Sequence, residues 1–327
     1  MALIGHQDAE NAFLESWAAG RLHHAWLLAG PQGMGKAAFA ARAARFLVTH
    51  DKGGASAAIP LDDPGDTAAD RLVAAGNHPE ILHLNRQVKD KGKDLARNIT
   101  IDQVRELKAR LHFSLSLGDW RVIIVDAIDD LEPAASNALL KTLEEPPAQT
   151  IFILISHSPG RLLPTIRSRC RTLRFQAVEH DVMTAWLHEL RPMADMAELR
   201  ATVAASGGVP GKALALIDSD VGAMEKKLLA IATTGDPGNR LREALAREVG
   251  GTANRARLEL VIDIVPGLLA RIARERPVAE IAPVLAQWDR VQRTVRDAIR
   301  GSYDGAMVGF EICNCLAELA PRGVPAR

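Results

Sequence analysis

The segment "HHAWLLAGPQGMGKAAF", residues 23–39, decides the fold that the sequence predicts. Its first part is a short apolar run typical of a buried parallel strand, and an alanine-rich stretch with helical periodicity follows the glycines. Gly30, Gly35 and Lys36 match the phosphate-binding pattern GxxxxGK[ST], and Gly33 is a further glycine of the same turn. In that pattern, backbone N–H groups and the lysine bind phosphate oxygens at a helix N-terminus. The segment therefore predicts an α/β P-loop domain built on a parallel sheet.

Position 37 departs from the pattern. The pattern requires Ser or Thr there, because its hydroxyl ligates Mg²⁺, and this chain has Ala37. The loop is therefore expected either to bind ATP or ADP without hydrolysing it, or to persist only as part of the architecture. The residues alone leave both alternatives open.

The segment "RVIIVD", residues 121–126, is the strongest strand pattern in the chain. A buried parallel strand that ends in an acid delivers the carboxylate to the C-terminal edge of the sheet. In P-loop NTPases such an aspartate holds Mg²⁺, so Asp126 is a candidate nucleotide-site residue, with loop capping as the alternative. Hydrolytic proteins of one large branch place a glutamate next to this aspartate to polarise the attacking water. Ala127 stands there, so a second requirement for hydrolysis is missing.

Composition restricts the possible partners. Forty basic and 40 acidic residues give a formal net charge of zero, so no global field attracts nucleic acid or an anionic membrane, and direct DNA contact is left undecided. No signal peptide and no apolar run of about 18 residues is present, which predicts a cytoplasmic protein without a membrane partner. Cys170, Cys313 and Cys315 form no paired metal-binding set and are interpreted as small apolar residues rather than ligands, so no metal site is predicted.

Two further stretches differ from the rest of the chain. Residues 51–79 are rich in Gly, Asp, Pro and Ala with weak periodicity, which predicts an excursion from the fold. Residues 161–174 contain five arginines and no acid. Such a run is usually a solvated basic face, but it also suits a surface that faces phosphate.

Three segments together carry a family resemblance: the P-loop segment, "RVIIVDAIDDLEPAASNALLKTLEEPP" and "IFILISHSPGRLLPTIRSRCRTLRF". They resemble the clamp-loader branch of the AAA+ family over about residues 4–215. The resemblance implies an AAA+ P-loop domain at 1–175, a small helical lid at 176–219 and an all-α oligomerisation (collar) domain at 220–327. It also implies a bacterial hetero-pentamer of this chain with gamma/tau-like ATPase subunits and a delta subunit, which loads a sliding clamp on primed DNA during replication.

The resemblance assigns roles to individual positions. Arg169, the arginine of "SRC", matches the arginine finger that one subunit projects into the ATP site of its neighbour. Lys212, in "GGVPGKAL", stands where the family often has an arginine that touches the subunit's own nucleotide. Many relatives carry a four-cysteine zinc module after the P-loop, but residues 51–95 contain no cysteine, so no zinc is predicted. The expectation is a non-hydrolysing subunit that donates Arg169.

Two other functions remain as alternatives at this stage. An ATP-hydrolysing motor subunit of the same loader would need Ser or Thr at position 37 and Glu near position 127. A free-standing P-loop kinase or nucleic-acid ATPase would have no use for "SRC" or for the helical C-terminal third.

Overall fold

The computed structural model describes residues 4–50, 59–63, 68–88, 95–217, 221–251, 254–301 and 304–320. Two compact units meet between Ala177 and Val178. The first unit contains α1 Gln7–Ala18, β1 Ala25–Ala29, α2 Lys36–Thr49, α3 Ala68–Ala74, β2 Ile81–Asn85, α4 Ile101–Leu111, β3 Arg121–Asp126, α5 Pro133–Glu144, β4 Thr150–Ser156, α6 Pro164–Arg167 and β5 Arg171–Arg174. The second contains α7 His180–Leu190, α8 Met196–Ser206, α9 Pro210–Leu216, α10 Val221–Thr234, α11 Arg240–Val249, α12 Arg255–Glu275, α13 Ile281–Gly301 and α14 Gly305–Ala317.

The strands of the first unit form one parallel sheet in the order β2-β3-β4-β1-β5. Because neighbouring side chains of a strand point to opposite faces, β1 contributes to two cores. Leu27 belongs to the core shared with α4 and α5. Trp26 packs edge-on against Phe13 of α1, which in turn contacts Phe39 of α2. Helices therefore cover both faces of the sheet, and the predicted α/β P-loop fold with a parallel sheet is confirmed.

The strands run in parallel, so their C-terminal ends meet at one edge of the sheet. The loops that follow β1, β3 and β4 all leave from this edge. It is the edge at which the phosphate-binding pattern, Asp126 and the segment that leads to Arg169 begin.

Every regular element in the described part of the second unit is a helix. Proline usually kinks or interrupts a helix, but Pro266 lies inside α12 and the helix continues across it without division. Cys313 and Cys315 of α14 are fully buried, and burial raises the pKa of their thiols to about 12 and about 11. Their interpretation as small apolar core residues is confirmed. The contacts group α7–α9 with the later helices, and the boundary between a lid and a collar at 219/220 stays a prediction.

Two segments contain more regular structure than the sequence indicated. The stretch 51–79, expected to lack periodic structure, contains α3, although residues 51–58 and 64–67 of it lie outside the described residues. The segment 157–166, whose prolines and glycine are typical of a loop, contains the start of the short helix α6. Across the described ranges, no helix combines the length and the apolar character that crossing a bilayer would require.

Candidate nucleotide and phosphate site

The three P-loop glycines are needed for two reasons of backbone geometry. Gly33 has a φ of 85° and Gly35 a φ of 83°, in the left-handed region that side chains disfavour. Gly30 has an ordinary φ but lies against β5, and a Cβ on it would come within 2.3 Å of the Phe175 carbonyl oxygen. The turn therefore places the N-terminus of α2 at the sheet edge, with its N–H groups available to an anion.

Lys36 is the first residue of α2, and its side chain is turned into the loop. It is only 3% exposed, and its Nζ donates to the carbonyl oxygens of Gly30 and Pro31. Burial lowers the pKa of Lys36 from 10.5 to about 8, and the carboxylates of Asp129 and Asp126 oppose this shift. The structure thus brings Asp126 into electrostatic reach of the P-loop lysine, while its role at a nucleotide site stays a prediction.

Asp129 joins the loops that follow β3 and β4. Its carboxylate accepts hydrogen bonds from the Ser156 hydroxyl at 2.9 Å, the His157 N–H at 2.6 Å and the Ser158 N–H at 3.2 Å. Sequence analysis did not identify Asp129, because its partners are 27–29 residues away. The only signal was its position a few residues beyond a strand that ends at the site edge.

His157 is a second residue of the site that the sequence analysis missed. Its Nδ1 is buried and has no hydrogen-bond partner within the described part of the chain. Burial lowers the pKa of His157, the positive charge of Lys36 lowers it further, and Asp129 and Asp126 oppose these effects. A neutral imidazole therefore lies close to the P-loop lysine. Its sequence signal was a polar residue directly after the buried strand β4.

The N-terminal segment also contacts the loop. The His6 side chain is buried, its Nε2 lies 3.0 Å from the Met34 carbonyl oxygen, and its ring packs 4.6 Å from that of Phe175. Burial lowers the pKa of His6. This contact, absent from the sequence analysis, links the start of the chain to the loop and to the end of β5.

These residues suit phosphate better than they suit a hydrolytic metal site. The left-handed glycines, the α2 N-terminus and Lys36 are a phosphate-binding arrangement. Ala37 and the buried Ala127 supply no oxygen ligand and no general base. Among the described residues, no three His, Cys, Asp or Glu side chains are placed to hold a metal ion together.

Arg169 lies on the opposite side of the "SRC" turn from the core. Ile166 and Cys170 pack inward, and the Cys170 thiol donates to the Ile166 carbonyl oxygen at 3.1 Å. Burial raises the pKa of Cys170 to about 12, so the thiol is a packing group. The Arg169 side chain between them is 34% exposed and pairs with Glu144, with 2.7 Å from Nη2 to Oε1.

The other basic candidates have separate environments. The guanidinium of Arg171 lies 5.0 Å from the centre of the Trp26 ring, in cation–π geometry. Lys212 belongs to the second unit, where its Nζ donates to Asp263 Oδ1 of α12 at 2.6 Å. The first unit therefore contains the site residues Gly30, Gly33, Lys36 and Asp126, whereas the second unit contains Lys212.

Residues 5–179 match the protein family described as "DNA polymerase III, delta subunit", which is more than half of the chain. The chain belongs to this family. The P-loop segment, "LEEPP" and "SRC" all lie inside the matched range.

Individual relatives agree with the family. The chain is 38% identical to DNA polymerase III subunit delta' of Escherichia coli K12 over 63% of this chain and 58% of the relative. It is 36% identical to the subunit delta' of Pseudomonas aeruginosa over 57% of this chain and 53% of the relative. It is also 32% identical to a gamma/tau subunit of Mycobacterium tuberculosis over 66% of this chain and 36% of the relative. The match thus spans between half and three fifths of the length of these two delta' relatives.

Proposed function

We propose that the chain is a delta-prime-type subunit of a bacterial DNA polymerase III clamp loader. Its partners in this proposal are gamma/tau-like ATPase subunits and a delta subunit in a hetero-pentamer, and the complex acts on a sliding clamp and primed DNA. The proposal is supported by the delta' relatives and by the order of the P-loop, "LEEPP" and "SRC" segments.

The observation that carries a non-hydrolysing role is the pair of alanines beside the phosphate-binding residues. Ala37 follows Lys36, and the buried Ala127 follows Asp126. Phosphoryl transfer to water needs a metal held by several oxygens and a group that orients the water. Neither alanine can contribute to these tasks, although a nucleotide phosphate can still bind the α2 N-terminus and Lys36 without being cleaved.

The contribution of this chain to catalysis is then Arg169, supplied to a neighbouring subunit's ATP. An arginine that reaches the transferring phosphoryl group stabilises the negative charge of the transition state, an effect of orders of magnitude in known cases. A partly exposed guanidinium on a turn fastened to the core by Ile166 and Cys170 suits this role.

The gamma/tau relatives make an ATP-hydrolysing motor subunit the second candidate, and the purified chain separates the two. Alone, with Mg²⁺, ATP and primed DNA, it should hydrolyse ATP no faster than a Lys36→Ala variant. DNA-stimulated turnover that Lys36→Ala abolishes would establish the motor function instead.

Replacing Arg169 by Ala tests the donated arginine in the reconstituted loader. We expect unchanged assembly by size-exclusion chromatography and a loss on the order of tenfold or more in ATP hydrolysis at the neighbouring site, with slower clamp loading. Arg167→Ala, which removes an exposed arginine two residues away, is the matched control and should behave as the wild type. Wild-type turnover in the Arg169→Ala complex would refute the assignment.

A further inference from the structure

Arg169 is restrained within its own chain by three contacts, of which the longest is the hydrogen bond from its Nη1 to the Ser168 hydroxyl at 3.5 Å. Its Nη2 pairs with Glu144 Oε1 at 2.7 Å, and its Nη1 donates to the Thr165 carbonyl oxygen at 2.8 Å. Of the five arginines at 161–174, Arg169 is the one that pairs with a carboxylate in the part of the chain that the structure describes. The ion pair therefore distinguishes this arginine from the basic residues around it.

The position of Glu144 is unfavourable for the helix that carries it. Glu144 is the last residue of α5, where the partial negative charge of the helix C-terminus repels a carboxylate. Local helix stability therefore does not account for an acid at this position. The ion pair with Arg169 accounts for the acid, because the guanidinium neutralises the Glu144 carboxylate.

The end of α5 is a fixed base for this contact. Leu143 is completely buried, and its carbonyl oxygen lies 3.1 Å from Nε2 of His24, which precedes β1. The Glu144 backbone is thus tied to the centre of the sheet. A side chain on a fixed base can restrict a partner, whereas two mobile surface residues would gain little from pairing.

The geometry leaves Arg169 able to bind a phosphate while it is held. A guanidinium has five N–H donors in one plane. Nη1 donates to the Thr165 carbonyl oxygen and, at 3.5 Å, to the Ser168 hydroxyl, while Nη2 forms the ion pair with Glu144. Nε forms no hydrogen bond with the described residues and remains for an anion. These contacts reduce the number of rotamers that the long side chain must give up on meeting a ligand.

We propose that Glu144 is a positioning residue for Arg169, which holds the guanidinium extended for an ATP γ-phosphate of the neighbouring subunit. This inference rests on the proposed role of Arg169. The effect of Glu144 comes from pre-organisation, because the Arg169 side chain is already ordered in the free chain. Removal of Glu144 therefore slows the chemical step more than it weakens ATP binding.

The test uses the reconstituted loader with Glu144→Ala, Glu144→Gln, Arg169→Ala and the double replacement. We expect Glu144→Ala to lower kcat for ATP about three- to tenfold with less than a twofold change in KM. Glu144→Gln keeps an oxygen for Nη2 and should recover most of the rate. Glu145→Ala removes the adjacent exposed acid and is the matched control.

The double replacement decides whether Glu144 acts through Arg169. In the Arg169→Ala background, Glu144→Ala should have no further effect, since the group it positions is gone. A further loss there, or wild-type or faster turnover with Glu144→Ala alone, would overturn the inference while Arg169 kept its role. Wild-type turnover with Arg169→Ala would instead refute the proposed function, and the positioning role with it.

Discussion

Replacing Lys36 by Met should change how the stability of the first unit depends on pH. The folded Lys36 has a pKa of about 8 against an ordinary 10.5, because its ammonium group is buried. At about 1.4 kcal/mol per pKa unit, this amounts to a cost of roughly 3 kcal/mol for folding at pH 7. Between pH 8 and 10.5 the unfolded chain still binds the proton that the folded chain has released, so the cost disappears as pH rises.

The measurement is a difference between two proteins. Urea unfolding of wild type and Lys36→Met is followed by tryptophan fluorescence, with Trp186 and Trp288 replaced by Phe so that only the first unit contributes. Between pH 7 and 10 the wild type should gain about 2–3 kcal/mol relative to Lys36→Met. Titrations common to both proteins cancel, and so does the pH-independent loss of the lysine's hydrogen bonds to Gly30 and Pro31.

Lys141→Met, at an exposed lysine of the same unit, is the control and should show no such difference. A wild-type gain below about 1 kcal/mol would show that Lys36 keeps a near-normal pKa. The conclusion that its charge is poorly solvated in the loop would then be wrong.

Two further predictions concern stability of the first unit, measured by the same fluorescence-detected urea unfolding. Gly30→Ala should lower the free energy of unfolding by more than about 2 kcal/mol, because the new Cβ would lie 2.3 Å from the Phe175 oxygen. Gly160→Ala is the control and should be nearly neutral, because its Cβ meets no atom within 4 Å. Equal effects of the two replacements would contradict the close contact at Gly30. Arg121→Met should cost about 3–5 kcal/mol by leaving the Glu80 carboxylate buried without its 2.7 Å partner, and a cost below about 1 kcal/mol would show that water reaches the pair.

The sequence predicted the parts of the fold that depend on local pattern. β1, β3 and β4 are continuous apolar runs, and their strand state follows from that run and from the glycines or prolines beside it. The short helices α3 and α6 were missed because seven and four residues are too few for periodicity to register. Pro266 stays inside α12, where packing of a long apolar helix outweighs one local breaker.

The sequence identified the site residues that belong to a recognisable motif. It missed the residues whose roles depend on tertiary contacts. Lys36 and Asp126 were found from the residues around them. Asp129, His157 and Glu144 were not, because the contacts that give each of them a role join residues 25 or more positions apart. The effect of the Lys36 charge on the pKa of His157, for example, depends on the ends of β1 and β4 lying side by side.

The close approach of Gly30 to Phe175 shows that a P-loop residue can be retained for packing as well as for phosphate binding. Gly30 would be required by a relative that never met a nucleotide, because the path of the chain after β5 leaves no room for a Cβ. Lys36 has no such justification, since its buried charge works against folding. Among descendants that lose nucleotide binding, drift should therefore erase the lysine first and leave the glycine in place. A surviving lysine is consequently the more informative trace of a phosphate ligand.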